Sequence, residues 1–381
     1  MIRSRSNRLL AAAAIALAVT AVPAAPASAD SVRDKQWHLK ALDIAEAHRI
    51  STGAGVTVGL IDSGVDAKHR DLRSALLPGI DTNPLGSADG LEDRDGHGTE
   101  MAGIIAGRGH GGDNGVLGIA PSAKVLSIGA PTEGLSDGTG IVKAIDYAVE
   151  HGVKVINMSF VRPSSASLQE AIRRARAADI VLVGGSGNKG EAAKGAYPAL
   201  YPEVLSVGAI GRDGNVADFS VANEGVDIVA PGVDIVSTGI TKSGYSLSRG
   251  TSQATAVVSG AAALIRAKYP DLSAADVIHR LTATATDAGP EGRDDSYGFG
   301  RLNLVKALTD DVGPAPADSA AAPTGSADEP VQAAPPGDSD PSDTVRLREV
   351  VPIVLGVLAA LLVLAIGAVI IVVMIRRQRR T

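Results

Sequence analysis

Short β-branched runs alternate with helix-spaced segments through the middle of this 381-residue chain, and that alternation limits the fold more than any other feature. The run Val56-Thr57-Val58-Gly59-Leu60-Ile61 is nearly continuous in apolar residues, as expected of a strand covered on both faces of a parallel sheet. Comparable runs stand at Val153–Met158, Ile180–Val183, Val204–Val207 and Val226–Val229. Between them, Gly98–Ala106 carries Met101, Ile104 and Ile105 on one helical face, and Ile141–Glu150 carries Ile141, Ala144, Ile145 and Ala148. Leu168–Ala178 repeats the spacing with Ile172 and Ala175. Ala254–Lys268 reads as an Ala- and Val-rich helix stopped by Tyr269-Pro270, and Ser273 opens a last helix through Thr282. The pattern predicts an α/β fold, a parallel sheet with helices on both faces. Aromatic residues make up only 3% of the chain, so the core must be built from Ala, Val, Leu and Ile.

In open α/β sheets ligands and chemistry collect beyond the carboxyl ends of the strands. The first apolar run ends at Asp62, in Asp62-Ser63-Gly64. Asp95-Gly96-His97-Gly98-Thr99 precedes one helical segment and Gly250-Thr251-Ser252-Gln253-Ala254 another. A serine hydroxyl is a poor nucleophile near neutral pH and needs an imidazole to take its proton, while the imidazole needs a carboxylate to fix its tautomer. Ser252, His97 and Asp62 are the candidates for those roles. Asn188, in Gly184-Gly185-Ser186-Gly187-Asn188, is the candidate donor to the oxyanion that attack on a carbonyl creates. Taken singly, each has a plainer explanation: the acid and the amide as turn formers, the serine as an N-cap. Their joint occurrence, in order and with the expected element attached to each, favours catalysis. His38, His48, His69, His110, His151 and His279 lack such a setting and read as surface or core residues.

On these residues the chain resembles a subtilisin-like serine protease, a subtilase, whose triad runs in the order Asp, His, Ser. Gly115-Val116-Leu117-Gly118-Ile119-Ala120-Pro121 and Tyr297-Gly298-Phe299-Gly300-Arg301-Leu302-Asn303 are weaker matches, and the resemblance spans roughly residues 36–310. Within the family it is most similar to the mycosins, membrane-anchored proteases that accompany type VII secretion systems, through its layout and the segment Gln36-Trp37-His38-Leu39. The resemblance implies that Ser159, Phe160, Gly185 and Ser186 flank a bound peptide and that Lys189 and Ala196 lie near the first specificity pocket. Lys189 would then favour an acidic side chain there. Two departures stand out: Asn157-Met158-Ser159-Phe160-Val161 lacks the glycine of the usual substrate-pairing edge, and the chain has no cysteine for the disulfides that mycosins often carry. No cofactor is expected. Calcium often stabilises subtilases, yet no carboxylate run has ligand spacing, and the cluster Asp89, Glu92, Asp93 and Asp95 reads as a solvated loop.

Both ends read as addressing and anchoring segments. Arg3, Arg5 and Arg8, then apolar Leu9–Val22 and Ala27-Ser28-Ala29, predict a signal peptide over residues 1–29. Residues 30–310 form the expected catalytic domain, and about 26 residues between Asp30 and Val56 are too few for an independently folding domain. Asp30–Ser51 should therefore pack on the domain as an N-terminal extension. Residues 311–349, rich in Pro, Ala and Asp, predict an extended linker. Residues 350–375 carry no charge, are long enough to span a bilayer as a transmembrane helix, and are followed by four arginines within the basic tail 376–381. The positive-inside rule leaves that tail in the cytoplasm and the catalytic domain outside, a single-pass cell-membrane protein. A formal net charge of -6 offers nothing to nucleic acid. The expected function is cleavage of exported proteins or peptides, with type VII membrane components as partners; a structural subunit of such a complex and a general cell-surface protease are the alternatives.

Overall fold

The computed structural model describes residues 31–84, 86–132, 138–190 and 196–316. The expected signal peptide over 1–29, the expected transmembrane segment 350–375, the basic tail and all but the start of the expected linker lie outside the described residues. Three short helices, α1 (Ser31–Asp34), α2 (Trp37–Ala41) and α3 (Ile44–Ile50), precede β1 (Thr57–Asp62) and β2 (Leu76–Asp81). Helix α4 (His97–Ala106), the small hairpin β3 (Arg108–His110) and β4 (Asn114–Leu117), and β5 (Lys124–Gly129) follow. Then come α5 (Thr139–Glu150), β6 (Val155–Met158), α6 (Ala166–Ala177), β7 (Val181–Gly185), β8 (Val204–Ile210) and β9 (Ile228–Pro231). A second hairpin, β10 (Ile235–Thr238) and β11 (Tyr245–Ser248), leads into α7 (Thr251–Lys268), α8 (Ala274–Ala283) and α9 (Leu304–Thr309).

Seven strands form one sheet in the order β2-β5-β1-β6-β7-β8-β9, every adjacent pair parallel. Alternation along each strand sorts its side chains between two cores. Val58 and Leu60 of β1, Val155 of β6 and Val181 and Val183 of β7 join α4 and α7 on one face. Ile61, Ile156, Met158 and Leu182 join α5 and α6 on the other. The expected doubly covered parallel sheet is therefore present. Helix α7 is buried from Thr251 to Arg266 apart from a half-buried Ser252, which explains its Ala-rich composition: a helix enclosed all round presents small side chains to every neighbour.

Element boundaries differ from the apolar pattern at several ends. Helix α5 starts at Thr139 rather than Ile141, β8 runs on to Ile210, and β9 begins at Ile228 rather than Val226. Helix α8 starts where Ser273 predicts, because Ser273 and Asp276 form a reciprocal capping box. Residues 31–51 pack on the domain. Arg33 donates to the Gly115 and Asn114 carbonyls, Gln36 bonds both backbone groups of Leu117, and Trp37 Nε1 donates to the Val233 carbonyl at 3.0 Å. Leu39, Leu42, Ile44 and Ala47 sink into the α4–α7 core.

Candidate active site

The period-two alternation of β1 puts Asp62, its last residue, on the same face as Val58 and Leu60, against the start of α4. His97 is the first residue of that helix. Close approach is secured by Gly98, where a Cβ would collide with the Gly64 carbonyl and lie 3.2 Å from Asp62 Cβ. Asp93 is not the solvated loop residue expected from sequence. Its carboxylate accepts from the Gly96 and Thr99 backbone N–H groups at 2.8 Å each and from the Thr99 hydroxyl, so it caps α4 from four residues upstream and holds His97 in place.

Asp62 is buried, and its Oδ1 lies 2.8 Å from His97 Nδ1 and accepts the Ser63 N–H at 2.8 Å. With Nδ1 donating to the carboxylate, a neutral ring carries its lone pair on Nε2. Burial of the ring opposes its positive charge, but the Asp62 charge and hydrogen bond, with Glu100 and Asp95 behind them, prevail and push the His97 pKa up to about 9. The side chain is 32% exposed, so solvent in the cleft screens part of that attraction.

Ser252 lies inside the first turn of α7, not ahead of a helix beginning at Ala254, because Gly250 serves as the N-cap. Its Oγ donates to the Ser159 carbonyl at 3.2 Å, and Ser159 Oγ donates to the Ser252 carbonyl at 3.0 Å. In this rotamer the hydroxyl makes no hydrogen bond with His97. Both residues line the same cleft, and transfer of the proton to Nε2 requires the hydroxyl to give up its bond to Ser159. Asn188 follows β7 and also lines the cleft. Its Oδ1 accepts from the Thr251 N–H at 3.1 Å, which assigns the carbonyl end to the helix and leaves Nδ2 on the Gly250 side. That Nδ2 and the Ser252 N–H, one of the first-turn groups without an intrahelical acceptor, are the candidate donor pair for a developing oxyanion.

The cleft encloses about 1240 Å³. Ser159 and Phe160 line it, as the resemblance implies, and so do the cationic Arg94, Arg162 and Arg249, which sequence reading missed. Gly185 and Ser186 are buried at the end of β7, with Ser186 Oγ donating to the Val221 carbonyl, and are not among the residues lining the cleft. Lys189 is exposed and likewise off the lining, and Ala196 is buried. Glu100 was also missed. An acidic residue one turn beyond His97 on an otherwise apolar helix face was the available signal. Among the described residues no group of three or more His, Asp or Glu side chains is arranged to hold a metal ion, and no helix is long and apolar enough to cross a membrane.

Comparison with known families matches residues 53–300 to the Subtilase family. The chain is a subtilase. This subtilase is a serine endopeptidase by family. It is 39% identical over 264 residues to subtilisin DY of Bacillus licheniformis, covering 67% of this chain and 91% of that one. To mycosin-1 of Mycobacterium tuberculosis it is 36% identical over 341 residues, 74% of this chain and 75% of the relative. Among solved structures, MycP1 with its N-terminal propeptide removed aligns with a TM-score of 0.65 at 32% identity, over 74% of this subtilase and 98% of that chain. The MycP3 protease of the type VII (ESX-3) secretion system aligns with a TM-score of 0.64 at 34% identity, over 76% of this chain and 90% of that one. The mycosin likeness expected from sequence is therefore present in both sequence and fold.

Proposed function

We propose that this subtilase is a membrane-anchored endopeptidase, its catalytic domain outside the cell, that hydrolyses peptide bonds of exported proteins alongside a type VII secretion apparatus. The observation that carries the chemistry is the 2.8 Å contact between Asp62 and His97 in a cleft that Ser252 and Asn188 also line. Once Ser252 Oγ turns from Ser159 to His97 Nε2, the ring takes its proton as Oγ attacks the substrate carbonyl. Asp62 holds the ring by Nδ1 and stabilises the imidazolium. Asn188 Nδ2 and the Ser252 N–H donate to the oxyanion. His97 then protonates the leaving amine, and water repeats the sequence on the acyl-enzyme, with His97 again as base.

Location and partners rest on other supports. The basic, apolar and small-residue sequence at the start fits export, and the uncharged stretch 350–375 before the arginine tail fits a single-pass anchor. Likeness to MycP1 and MycP3 supports the link to type VII secretion. Two experiments address the two halves. Purified full chain should cleave an unfolded protein such as casein, and the Ser252→Ala variant should not; equal cleavage by both would remove Ser252 from the reaction. In cells, the protein should sediment with membranes and its catalytic domain should be digested by external protease. Recovery in the soluble fraction would end the anchoring proposal.

A further inference from the structure

Glu100 is buried beside the candidate active site and has no role in the chemistry above. It stands one helical turn after His97 on α4. Its Oε1 accepts Gln253 Nε2 at 2.8 Å and the Ser248 hydroxyl, and Gln253 also reaches Ser248 Oγ at 2.9 Å. Gln253 is the residue after Ser252, so this carboxylate joins the helix of the base to the helix of the nucleophile. The backbone around it is held as well: Ser237 Oγ donates to the Glu100 carbonyl at 2.8 Å and Thr238 Oγ1 to the Thr99 carbonyl at 2.6 Å. Among the described residues no Lys or Arg forms an ion pair with Glu100, and both donors to its carboxylate are neutral. Charge on a carboxylate held by neutral donors is not cancelled by a partner and acts through surroundings that screen it weakly.

We propose that Glu100 is a second acidic partner of His97, a positioning residue that stabilises the imidazolium through its charge while Gln253 and Ser248 hold it still. The inference rests on the functional reading given above. The acidic groups around His97 are Asp62 from β1, Asp93 and Asp95 from the loop before α4, and Glu100 one turn along α4 itself. Helix α7 presents uncharged Gln253, and hairpin β10–β11 presents the hydroxyls of Ser237, Thr238 and Ser248. The cations lining the same cleft are Arg94, Arg162 and Arg249. Removing the Glu100 charge should therefore ease deprotonation of His97 and weaken the imidazolium during attack.

The test is the pH profile of kcat/KM for peptide cleavage by the full chain, with fluorophosphonate labelling and thermal melts in parallel. Glu100→Gln should move the acid limb down by about half a pH unit or more, and lower kcat on the plateau several-fold with KM little changed. Glu100→Asp keeps the charge and should keep the limb near the wild-type position. If Glu100→Gln does not fold, Glu100→Met is read in its place. A limb unmoved in the uncharged variant, or moved equally by Glu100→Asp, overturns the proposal. Absence of both labelling and an acid limb in the unaltered protein would overturn the functional reading, and this inference with it.

Discussion

His97 sits between demands that pull in opposite directions with pH. Attack by Ser252 needs the ring neutral, whereas the Asp62 contact favours it charged and raises its pKa to about 9. Activity should therefore climb with pH through a limb above the ordinary histidine value of 6.5, no higher than about 9 because the cleft is open to solvent. A kcat/KM profile already flat by pH 6 would contradict the pairing. Stability runs the other way. A histidine pKa raised on folding contributes stability that is full below 6.5 and is lost as pH rises through about 9, so thermal melts at pH 6 and pH 10 should show the loss. At Asn188 the issue is geometry rather than titration. Asn188→Ala should reduce kcat by about 10²- to 10³-fold with KM little changed, the loss typical when one oxyanion donor is removed. A change confined to KM would mean that Nδ2 contacts the substrate but not the transition state.

At the scale of elements, the segment from α1 to α3 makes a stability prediction of its own. His38 of α2 is wholly buried with neither ring nitrogen paired, and burial, helped by Arg212, lowers its pKa to about 3. The unfolded chain binds a proton there that the folded one refuses, so folding loses roughly 1.4 kcal/mol for each pH unit below 6.5, down to about 3. Urea unfolding of a His38→Leu variant should show a weaker fall in stability between pH 6.5 and pH 4.5, and an unchanged acid slope would contradict the account. Sequence alone left His38 as a generic core or surface residue, because a lone histidine carries no pattern. The sheet was far more legible. Asp62 stands where an apolar strand run ends, and His97 and Ser252 where helical runs begin, which is where parallel sheets and their helices expose backbone. What the pattern missed has physical causes: β2 is an edge strand with only half-buried or exposed positions, the buried run of β5 is broken by the polar Ser127, and hairpin β10–β11 is short. The pairing of Glu100 could not be read from the chain, because its partners Ser248 and Gln253 come from segments more than a hundred positions away.

For the whole molecule, the fold explains why distant segments can make one site. β1, α4, β7 and α7 start or end along one edge of the parallel sheet, so four separate stretches deliver Asp62, His97, Asn188 and Ser252 to a single cleft. The N-terminal extension ties α2 to the loop before β10 through Trp37 and to β4 through Gln36. Deleting residues 30–40 should therefore lower the melting temperature and reduce activity; a deletion that folds and cleaves normally would separate the extension from the domain. The central claim is that Ser252 is a nucleophile activated by His97, and mass-spectrometric mapping of the fluorophosphonate adduct on the purified chain tests it most directly. One adduct is expected, on Ser252, absent in Ser252→Ala and formed at least ~10³-fold more slowly in His97→Ala. An adduct on another residue, or one on Ser252 forming at the same rate without His97, would contradict it.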